Sequence, residues 1–257
     1  NNISLDHKSM DELRTLFRDF ISKAQRVVLN LDNAETAALL NGLQPGQAIT
    51  YSLNSPQAHF VASPPVQSPV GTVFHVKARE TGETVEVNLK VPGLHNVANA
   101  LAALSGAKAC GVALSAAAAH LGEFSGIRRR LEIVGTANEI TVFDDFAHNP
   151  EKIAATLETF HTFPGRLLLM FQPHGYGPIR FMRDALVQCF ASGLRDEDVL
   201  VMPEPVYFGG TVDRSVGSND IVSEVKRRGR KAFAFADRGG CGDMLVRLAR
   251  RGDRIVV

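Results

Sequence analysis

The sequence predicts an α/β protein, and three observations predict this class. From residue 127 to the carboxyl end, strand-like runs alternate with helix-like runs in a regular order. Residues 51–89 instead hold short strands joined by turns, which is typical of an antiparallel sheet. The chain has 257 residues and is 45% hydrophobic, so it is long and apolar enough for two domains, each with its own core.

The first predicted helix begins after Ser9. Ser9 and Glu12 have the spacing of a capping box, and the helical pattern continues to about Gln25. A strand over 26–31 and a short helix over 34–40 follow, so the chain starts in an α/β manner. The run before this helix reads NNISLDH, is strand-like and has no initiator Met. We therefore expect the chain to be a fragment of a longer protein.

Residues 51–89 predict a small antiparallel insertion. Short strands are expected around Tyr51, around Phe60, over 70–78 and over 84–89. Thr81-Gly82 predicts a hairpin between the last two strands. The Pro-rich stretch 63–69 is predicted to be a loop.

Two helices end the first half of the chain. A long Ala-rich helix is predicted over 97–109, and Gly111 predicts its end. A second, shorter helix is predicted over 115–121. The domain boundary is expected to lie near 123–126, where the regular alternation has not yet begun.

The second half is predicted to be a mostly parallel sheet covered by helices on both faces, because strands and helices alternate. The predicted strands are 131–135, 139–143, 167–171, 199–202, 231–234 and 254–257. The predicted helices are 151–161, 181–191, 219–228 and 242–251.

Charge and cysteine content exclude several classes of protein. The net charge of +1 gives no sign of a nucleic-acid or membrane partner. Cys110, Cys189 and Cys241 are widely spaced and odd in number, which indicates a reducing compartment rather than a disulfide framework. Because no signal-like start or spanning apolar run is present, we expect a cytoplasmic location.

Polar residues gather where predicted strands end. The strand 139–143 is followed by DDFAHNP, and open α/β folds bind ligands at this edge of the sheet. Pro150 suits the first turn of the next helix, where its missing N–H costs nothing. The same run also fits an Asp-rich turn with a helix cap, and the sequence leaves both interpretations open.

Two other polar groups are each open to a functional and to a structural interpretation. Asn96 and Asn99 share a helix face, where their amides can read the edge of a base or simply begin a helix. Three arginines, 128–130, follow Gly126 at the predicted junction. They can clamp a polyphosphate through forked donors or form a solvated basic turn.

The segment after the strand 167–171 is predicted to be a binding loop. It is rich in Gly and Pro and crowded with polar side chains, which favours binding over a plain connection. Those side chains are Gln172, His174, Tyr176 and Arg180. The sequence contains neither a Gly-rich dinucleotide fingerprint nor a Walker-type phosphate loop.

The order of these motifs resembles the Mur ligases, the ATP-dependent amide-forming enzymes of peptidoglycan precursor synthesis. The matching segments are NISLDH, VLNLDN, VPGLHNVANALAAL, GIRRRLE, FDDFAHNPEKIAATL and FQPHGY, and together they cover essentially the whole chain. The resemblance is strongest to the branch that joins L-alanine or a murein tripeptide to UDP-N-acetylmuramate. It implies a role in cell-wall biogenesis, and hence in cell shape and division.

The resemblance also implies a domain organisation. Residues 1–124 would be the C-terminal part of the ATP-binding central domain, and residues 125–257 a Rossmann-like, three-layer C-terminal domain that binds an amino acid or peptide. The UDP-binding domain and the phosphate loop would lie outside the chain. Because that loop carries the cradle for the β and γ phosphates, the fragment alone is expected to be inactive.

The resemblance assigns roles to individual residues. For ATP and Mg²⁺, it implies that Asn96 faces the adenine with Asn99 beside it, that Asp145 serves the ribose or the domain hinge, and that His7 helps to hold Mg²⁺. Arg130 would lie near the nucleotide phosphates and share the catalytic role with His148. His148, His174 and Arg180 would bind the incoming amino acid or peptide. ATP would phosphorylate the muramoyl carboxylate, and an amine would attack the acyl phosphate while cations offset the developing charge.

The chain departs from the family pattern in the binding loop. Alanine-adding members typically carry arginines where this chain has Gly175 and Pro178. Many members also carry tyrosine where this chain has Phe146. Either the acceptor is not free L-alanine or another residue supplies the carboxylate clamp. A non-catalytic relative that serves as a nucleotide-binding or regulatory module is the alternative to a ligase.

Overall fold

The computed structural model describes residues 9–69, 71–207, 209, 211 and 213–257. The chain forms two compact units, Asn1–Ser125 and Gly126–Val257, which are described one at a time. His7, the predicted magnesium ligand, lies outside the described residues.

The first unit starts as the sequence predicts. Helix α1 spans Met10–Ser22, and Ser9 and Glu12 form the predicted capping box. Strand β1 spans Val27–Asn30, and α2 spans Ala34–Ala38 before a short 3₁₀ turn. Asn33 caps α2 by accepting from two backbone N–H groups of its first turn.

The sheet of the first unit is mixed. Its remaining strands are β2 (Ala48–Ser52), β3 (Phe60–Ala62), β4 (Val66–Ser68), β5 (Gly71–Ala78) and β6 (Thr84–Leu89). Strands β5 and β6 form the predicted antiparallel hairpin. Strands β3 and β4 pair with opposite ends of the other edge of β5.

Two expectations for this sheet were wrong. Strands β2 and β3 are parallel to each other and β2 is parallel to β1, so antiparallel pairing begins only between β3 and β5. The stretch 63–69, predicted as a loop, contains β4. Its prolines lie outside the strand, Pro64 and Pro65 before it and Pro69 after it, so they remove no hydrogen bond from the ladder.

Two helices cover this sheet. Helix α3 spans Leu94–Ala109 and α4 spans Leu114–Leu121, so α3 begins three residues earlier than predicted. Their buried residues pack against β3, β5 and β6 in a single cluster that includes Phe74, Val76, Leu101 and Leu104. This packing fixes the first two turns of α3, which carry Asn96 and Asn99.

The second unit has the predicted three-layer architecture. Its strands are β7 (Glu132–Ala137), β8 (Ile140–Asp144), β9 (Leu167–Met170), β10 (Val199–Pro203), β11 (Lys231–Phe235) and β12 (Arg254–Val256). The sheet order is β11-β10-β9-β12-β8-β7, and every pairing is parallel except that of β7 with β8. The mostly parallel sheet is thereby confirmed.

Helices cover both faces of this sheet. Helices α5 (Pro150–His161), α7 (Arg183–Gly193) and α8 (Ser218–Arg227) bury residues against one face. Helix α9 (Arg238–Leu248) buries Cys241 and Leu245 against the other. Leu167 and Leu169 belong to the first core and Leu168 to the second, as the period of a strand requires.

Two helices of this unit differ from their predicted bounds. A separate short helix, α6 (Tyr176–Phe181), precedes α7, so the predicted binding loop is partly helical. Helix α9 begins four residues before the predicted start, because Asp237 accepts the backbone N–H of Gly240 at 2.9 Å and caps it. In the part of the chain that the structure describes, no helix is long and apolar enough to cross a membrane.

The packing of β5 predicts a clear difference between two glycine substitutions. A Cβ at Gly71 would overlap the backbone carbonyl oxygen of Leu89, whereas a Cβ at Gly135, in β7, would meet open space. We expect Gly71→Ala to lower the free energy of unfolding by about 1–3 kcal/mol, the usual cost of overpacking. Gly135→Ala should leave it unchanged or raise it slightly. Urea unfolding of both variants checks this, and equal effects would contradict the packing described for Gly71.

Candidate functional site

The candidate site of the second unit lies at the carboxyl edge of its sheet. The run 145–149 follows β8, and the run 171–175 follows β9. Strand β12 lies between these two strands, and the backbone N–H of Asp145 donates to the carbonyl of Val257 at 2.8 Å. Because β8, β12 and β9 run parallel, the two predicted polar segments emerge at the same edge of the sheet.

Phe146 is the centre of a group of basic side chains that we call the Phe146 cluster. Its ring centroid lies 5.1 Å from that of His148 and 5.0 Å from that of His174. The two imidazoles stack on each other at 5.4 Å. The guanidinium carbons of Arg129 and Arg130 lie 4.5 and 5.6 Å from the Phe146 ring centroid, within cation–π distance.

The backbone of Phe146 holds the same group together. Its N–H donates to the carbonyl of Arg129 at 2.8 Å, and its carbonyl accepts from Arg130 Nη1 at 3.2 Å. Arg129 and Leu131 adopt left-handed backbone conformations, with φ of 59° and 51°. Such conformations are costly for residues with a Cβ, and they cluster at functional sites.

Asp145 fixes the arginine segment to the sheet. Its Oδ1 accepts the backbone N–H of Leu131 at 3.3 Å, and its Oδ2 accepts the hydroxyl of Thr156 at 2.5 Å. Both carboxylate oxygens are thus engaged within the second unit, joining the arginine segment to α5. These contacts position the arginine segment, and the contact of Asp145 with the ribose stays a prediction.

A hydrogen bond defines the tautomer of the neutral His148 imidazole. Its Nδ1 lies 3.1 Å from the carbonyl oxygen of Phe146, which can only accept, so Nδ1 carries the proton and Nε2 keeps a lone pair. Burial lowers the pKa of His148, and the nearby charges of Lys152, His174 and Arg130 lower it further, against the opposing effect of the Phe146 hydrogen bond. His148 can therefore accept a proton near neutral pH.

The loop after β9 is positioned by Gly175 and by an ion pair with the loop after β10. Gly175 has φ of 136°, a backbone conformation that residues with a side chain rarely adopt. Arg180, at the end of α6, forms an ion pair with Asp213 and does not join the Phe146 cluster. Because of the φ of Gly175, an arginine at position 175 would strain the backbone. The charge of Arg180 is already neutralised by Asp213.

In the first unit, the two predicted asparagines contact each other. Asn99 Nδ2 lies 3.4 Å from Asn96 Oδ1, and Asn96 Nδ2 donates to the carbonyl of Pro92 at 2.6 Å. Asn99 is exposed at the start of α3. Each amide retains a donor or a lone pair for a further hydrogen bond.

The described residues contain no group of three or more His, Cys, Asp and Glu side chains that could hold a metal ion. The magnesium site expected at His7 therefore stays a prediction.

Sequence reasoning assigned roles to Arg130, His148 and His174 but none to Arg129 or Phe146. Both of these were visible in the motifs, Arg129 as a neighbour of Arg130 and Phe146 as a departure from tyrosine. No sequence signal predicted the contacts of Arg129 and Phe146 within the cluster. The cluster joins segments that are distant along the chain, such as 129–131 and 171–175.

Family comparisons identify the fold of both units. Residues 5–107 match the Mur ligase middle domain, and residues 129–257 match the family described as Mur ligase, glutamate ligase domain. The chain belongs to the Mur ligase family. A UDP-N-acetylmuramate–L-alanine ligase from Pelotomaculum thermopropionicum is 32% identical over 267 residues, covering 99% of this chain and 56% of that protein. The chain thus spans about half the length of the curated Mur ligases that it matches.

Solved Mur ligases share the architecture. UDP-N-acetylmuramate-alanine ligase MurC from Thermotoga maritima has a TM-score of 0.74 at 22% identity, covering 100% of this chain and 53% of that chain. A murein peptide ligase from Psychrobacter arcticus has a TM-score of 0.59 at 26% identity, with coverages of 96% and 51%. MurF from Thermotoga maritima, solved in complex with ADP, has a TM-score of 0.64 at 13% identity, with coverages of 90% and 49%.

The environment of His148 predicts its titration. Because burial and neighbouring positive charge favour the neutral imidazole, we expect its pKa to lie below the ordinary histidine value of 6.5. Lys152→Gln removes one of those charges and should raise this pKa. Lys231→Gln, in β11, removes an exposed lysine that is not among the causes of the shift, and it should leave the pKa unchanged. Imidazole NMR resonances followed against pH provide the measurement, and a His148 midpoint above 6.5 would contradict the described environment.

Proposed function

We propose that this chain is part of an ATP-dependent ligase of peptidoglycan precursor synthesis, which joins L-alanine or a murein peptide to UDP-N-acetylmuramate. Residues 1–124 are the C-terminal part of its ATP-binding central domain, and residues 125–257 are its acceptor-binding domain. Membership of the Mur ligase family and the L-alanine ligases among its relatives support the reaction class. The 257 residues alone are inactive in this proposal, because the sequence contains no phosphate loop.

The Phe146 cluster is the observation that carries the proposal. It places two guanidinium groups and two imidazoles around one aromatic ring at the ligand-binding edge of a parallel sheet. Guanidinium groups stabilise phosphoryl oxygens through forked, charge-assisted hydrogen bonds. The neutral His148 beside them can take a proton from an attacking amine.

The reaction assigns a task to each part of the cluster. ATP with Mg²⁺ would supply the phosphoryl group that converts the muramoyl carboxylate into an acyl phosphate. Arg130 would then face the negative charge that develops on the phosphoryl oxygens, and the Phe146 carbonyl would keep its guanidinium in place. The acceptor amine would attack the carbonyl carbon, lose its proton towards His148 and expel inorganic phosphate.

Some of the residues proposed to bind ATP have hydrogen-bonding groups that suit a nucleotide. The amides of Asn96 and Asn99 can each make a further hydrogen bond, as recognition of a base edge requires. Asp145 positions the arginine segment through both of its oxygens, and each oxygen keeps a lone pair that can accept from the ribose. Mg²⁺ would depend on His7 and on residues of the longer protein.

Substitution of Arg130 tests its role in phosphoryl transfer. In the full-length enzyme, we expect Arg130→Ala to lower kcat about 100-fold or more while KM values change little, because its interaction strengthens as phosphoryl charge develops. Arg128→Ala is the matched control, since Arg128 is an exposed neighbour outside the Phe146 cluster. Steady-state kinetics of both variants provide the measurement. An Arg130→Ala enzyme with unchanged kcat would remove Arg130 from the mechanism.

Phosphate release tests the proposed function as a whole. We expect the full-length protein to release phosphate from ATP only when UDP-N-acetylmuramate and an acceptor are both present, with L-alanine and the murein tripeptide tested in parallel. The 257-residue chain should release none, since it lacks a cradle for the β and γ phosphates. A full-length protein that binds ATP but releases no phosphate with either acceptor would instead support a non-catalytic Mur-like module.

A further inference from the structure

The loop after β10 supplies an arginine to the acceptor side of the second unit. The guanidinium carbon of Arg214 lies 3.5 Å from the ring centroid of Tyr207 and 5.8 Å from that of Tyr176. Tyr176 is the first residue of α6 and follows His174 of the Phe146 cluster by two positions. Arg214 is therefore placed beside the same segment that carries His174.

An acceptor that is an amino acid or peptide needs a cation for its carboxylate. Arginine binds carboxylates through parallel N–H donors, which fix the orientation of the ligand as well as its charge. The arginines near α6 differ in whether they are already neutralised. Arg180 pairs with Asp213, and Arg183 pairs with Asp184.

Arg214 differs from these two arginines because its contacts are with aromatic faces. Among the residues that the structure describes, no carboxylate lies within ion-pair distance of Arg214. Stacking on a tyrosine face uses the plane of the guanidinium and leaves the N–H donors at its edge for a ligand. It also restricts the side chain, so less conformational freedom is lost when a carboxylate binds.

The neighbouring contacts hold this arginine in position. Asp213 joins Arg180 of α6 to the loop and accepts the backbone N–H of Ser215 at 2.9 Å. The far end of the loop is fixed by Ser218, whose hydroxyl donates to the carbonyl of Pro203 at 2.7 Å. The ion pair of Arg180 thus has a structural task, which leaves Arg214 for binding.

We propose that Arg214, stacked on Tyr207 beside Tyr176, is the residue that binds the carboxylate of the acceptor amino acid or peptide, while the Arg180–Asp213 pair fixes its loop against α6. This inference rests on the proposed ligase function and names a residue that determines acceptor specificity. It also accounts for a binding loop that has Gly175 and Pro178 at positions where a nearby guanidinium would otherwise be expected.

The test compares acceptors with and without a carboxylate in the full-length enzyme. Arg214→Ala should raise KM for L-alanine at least about tenfold, the loss typical of a charge-assisted hydrogen bond, with kcat nearly unchanged. KM for L-alaninamide, which keeps the amine but lacks the carboxylate, should stay the same. Arg214→Lys should give an intermediate KM for L-alanine, because it keeps the charge and loses the fork. If the murein tripeptide is the acceptor, its KM should rise in the same way.

Arg183→Ala is the matched control, because it removes a nearby arginine that already has a carboxylate partner. It should leave both KM values unchanged. An Arg214→Ala enzyme that loses L-alanine and L-alaninamide equally, or loses neither, overturns the assignment while leaving the ligase function intact.

Binding distinguishes failure of this inference from failure of the proposed function. L-alanine binding to the full-length protein is followed by NMR in the unaltered protein and in Arg214→Ala. If no acceptor supports phosphate release but L-alanine binds and L-alaninamide does not, and Arg214→Ala abolishes this difference, the carboxylate site stands and the ligase proposal fails. If neither turnover nor binding depends on Arg214, the inference is wrong.

Discussion

The candidate site depends on the backbone carbonyl of Phe146. This one oxygen accepts from Arg130 Nη1 at 3.2 Å and from His148 Nδ1 at 3.1 Å. It thereby fixes the direction of a guanidinium and the tautomer of an imidazole at once. The Phe146 ring adds contacts to Arg129 and His174, so the basic side chains of the cluster are ordered around a single residue. A phenyl ring suffices here, since every described contact of Phe146 uses its ring or its backbone and none needs a hydroxyl group.

The sheet order makes this arrangement possible. Strand β12, the last in the chain, lies between β8 and β9, so its end supports the turn after β8 through Val257 and Asp145. Segments that begin at residues 145 and 171 then share one edge of the sheet. The loop after β10 reaches α6 at the same edge, where Asp213 and Arg214 contact residues of that helix. The groups that we propose to bind the phosphoryl group and the acceptor thus come from segments at one edge of the same sheet.

The sequence predicted the regular parts of the fold well, because hydrophobic period and capping residues are local signals. The capping box of Ser9 and Glu12, the hairpin at Thr81-Gly82 and the alternation of the second unit are all confirmed. Local signals could not show that β2 and β3 are parallel, because strand direction depends on connections rather than on residue type. They also missed β4, whose preceding prolines are typical of loops.

The candidate site was predicted less completely, and for a physical reason. Arg130, His148 and His174 were chosen from motifs, whereas Arg129, Phe146 and Arg214 take part through contacts between segments far apart in the chain. Gly175 shows the same limit, since only its φ of 136° reveals that an arginine there would strain the loop. Motifs identify chemistry carried by one segment, and the fold is needed to show which segments meet.

We propose that this chain serves an enzyme that activates a carboxylate by phosphorylation. Oxygen transfer tests it most directly, because a carboxylate oxygen leaves with the phosphate when an amine displaces it. The full-length enzyme is supplied with ATP, an acceptor and UDP-N-acetylmuramate labelled with ¹⁸O in its carboxylate, and the released phosphate is analysed by mass spectrometry. We expect the released phosphate to carry one ¹⁸O atom per amide bond formed. Unlabelled phosphate accompanying amide formation would contradict it.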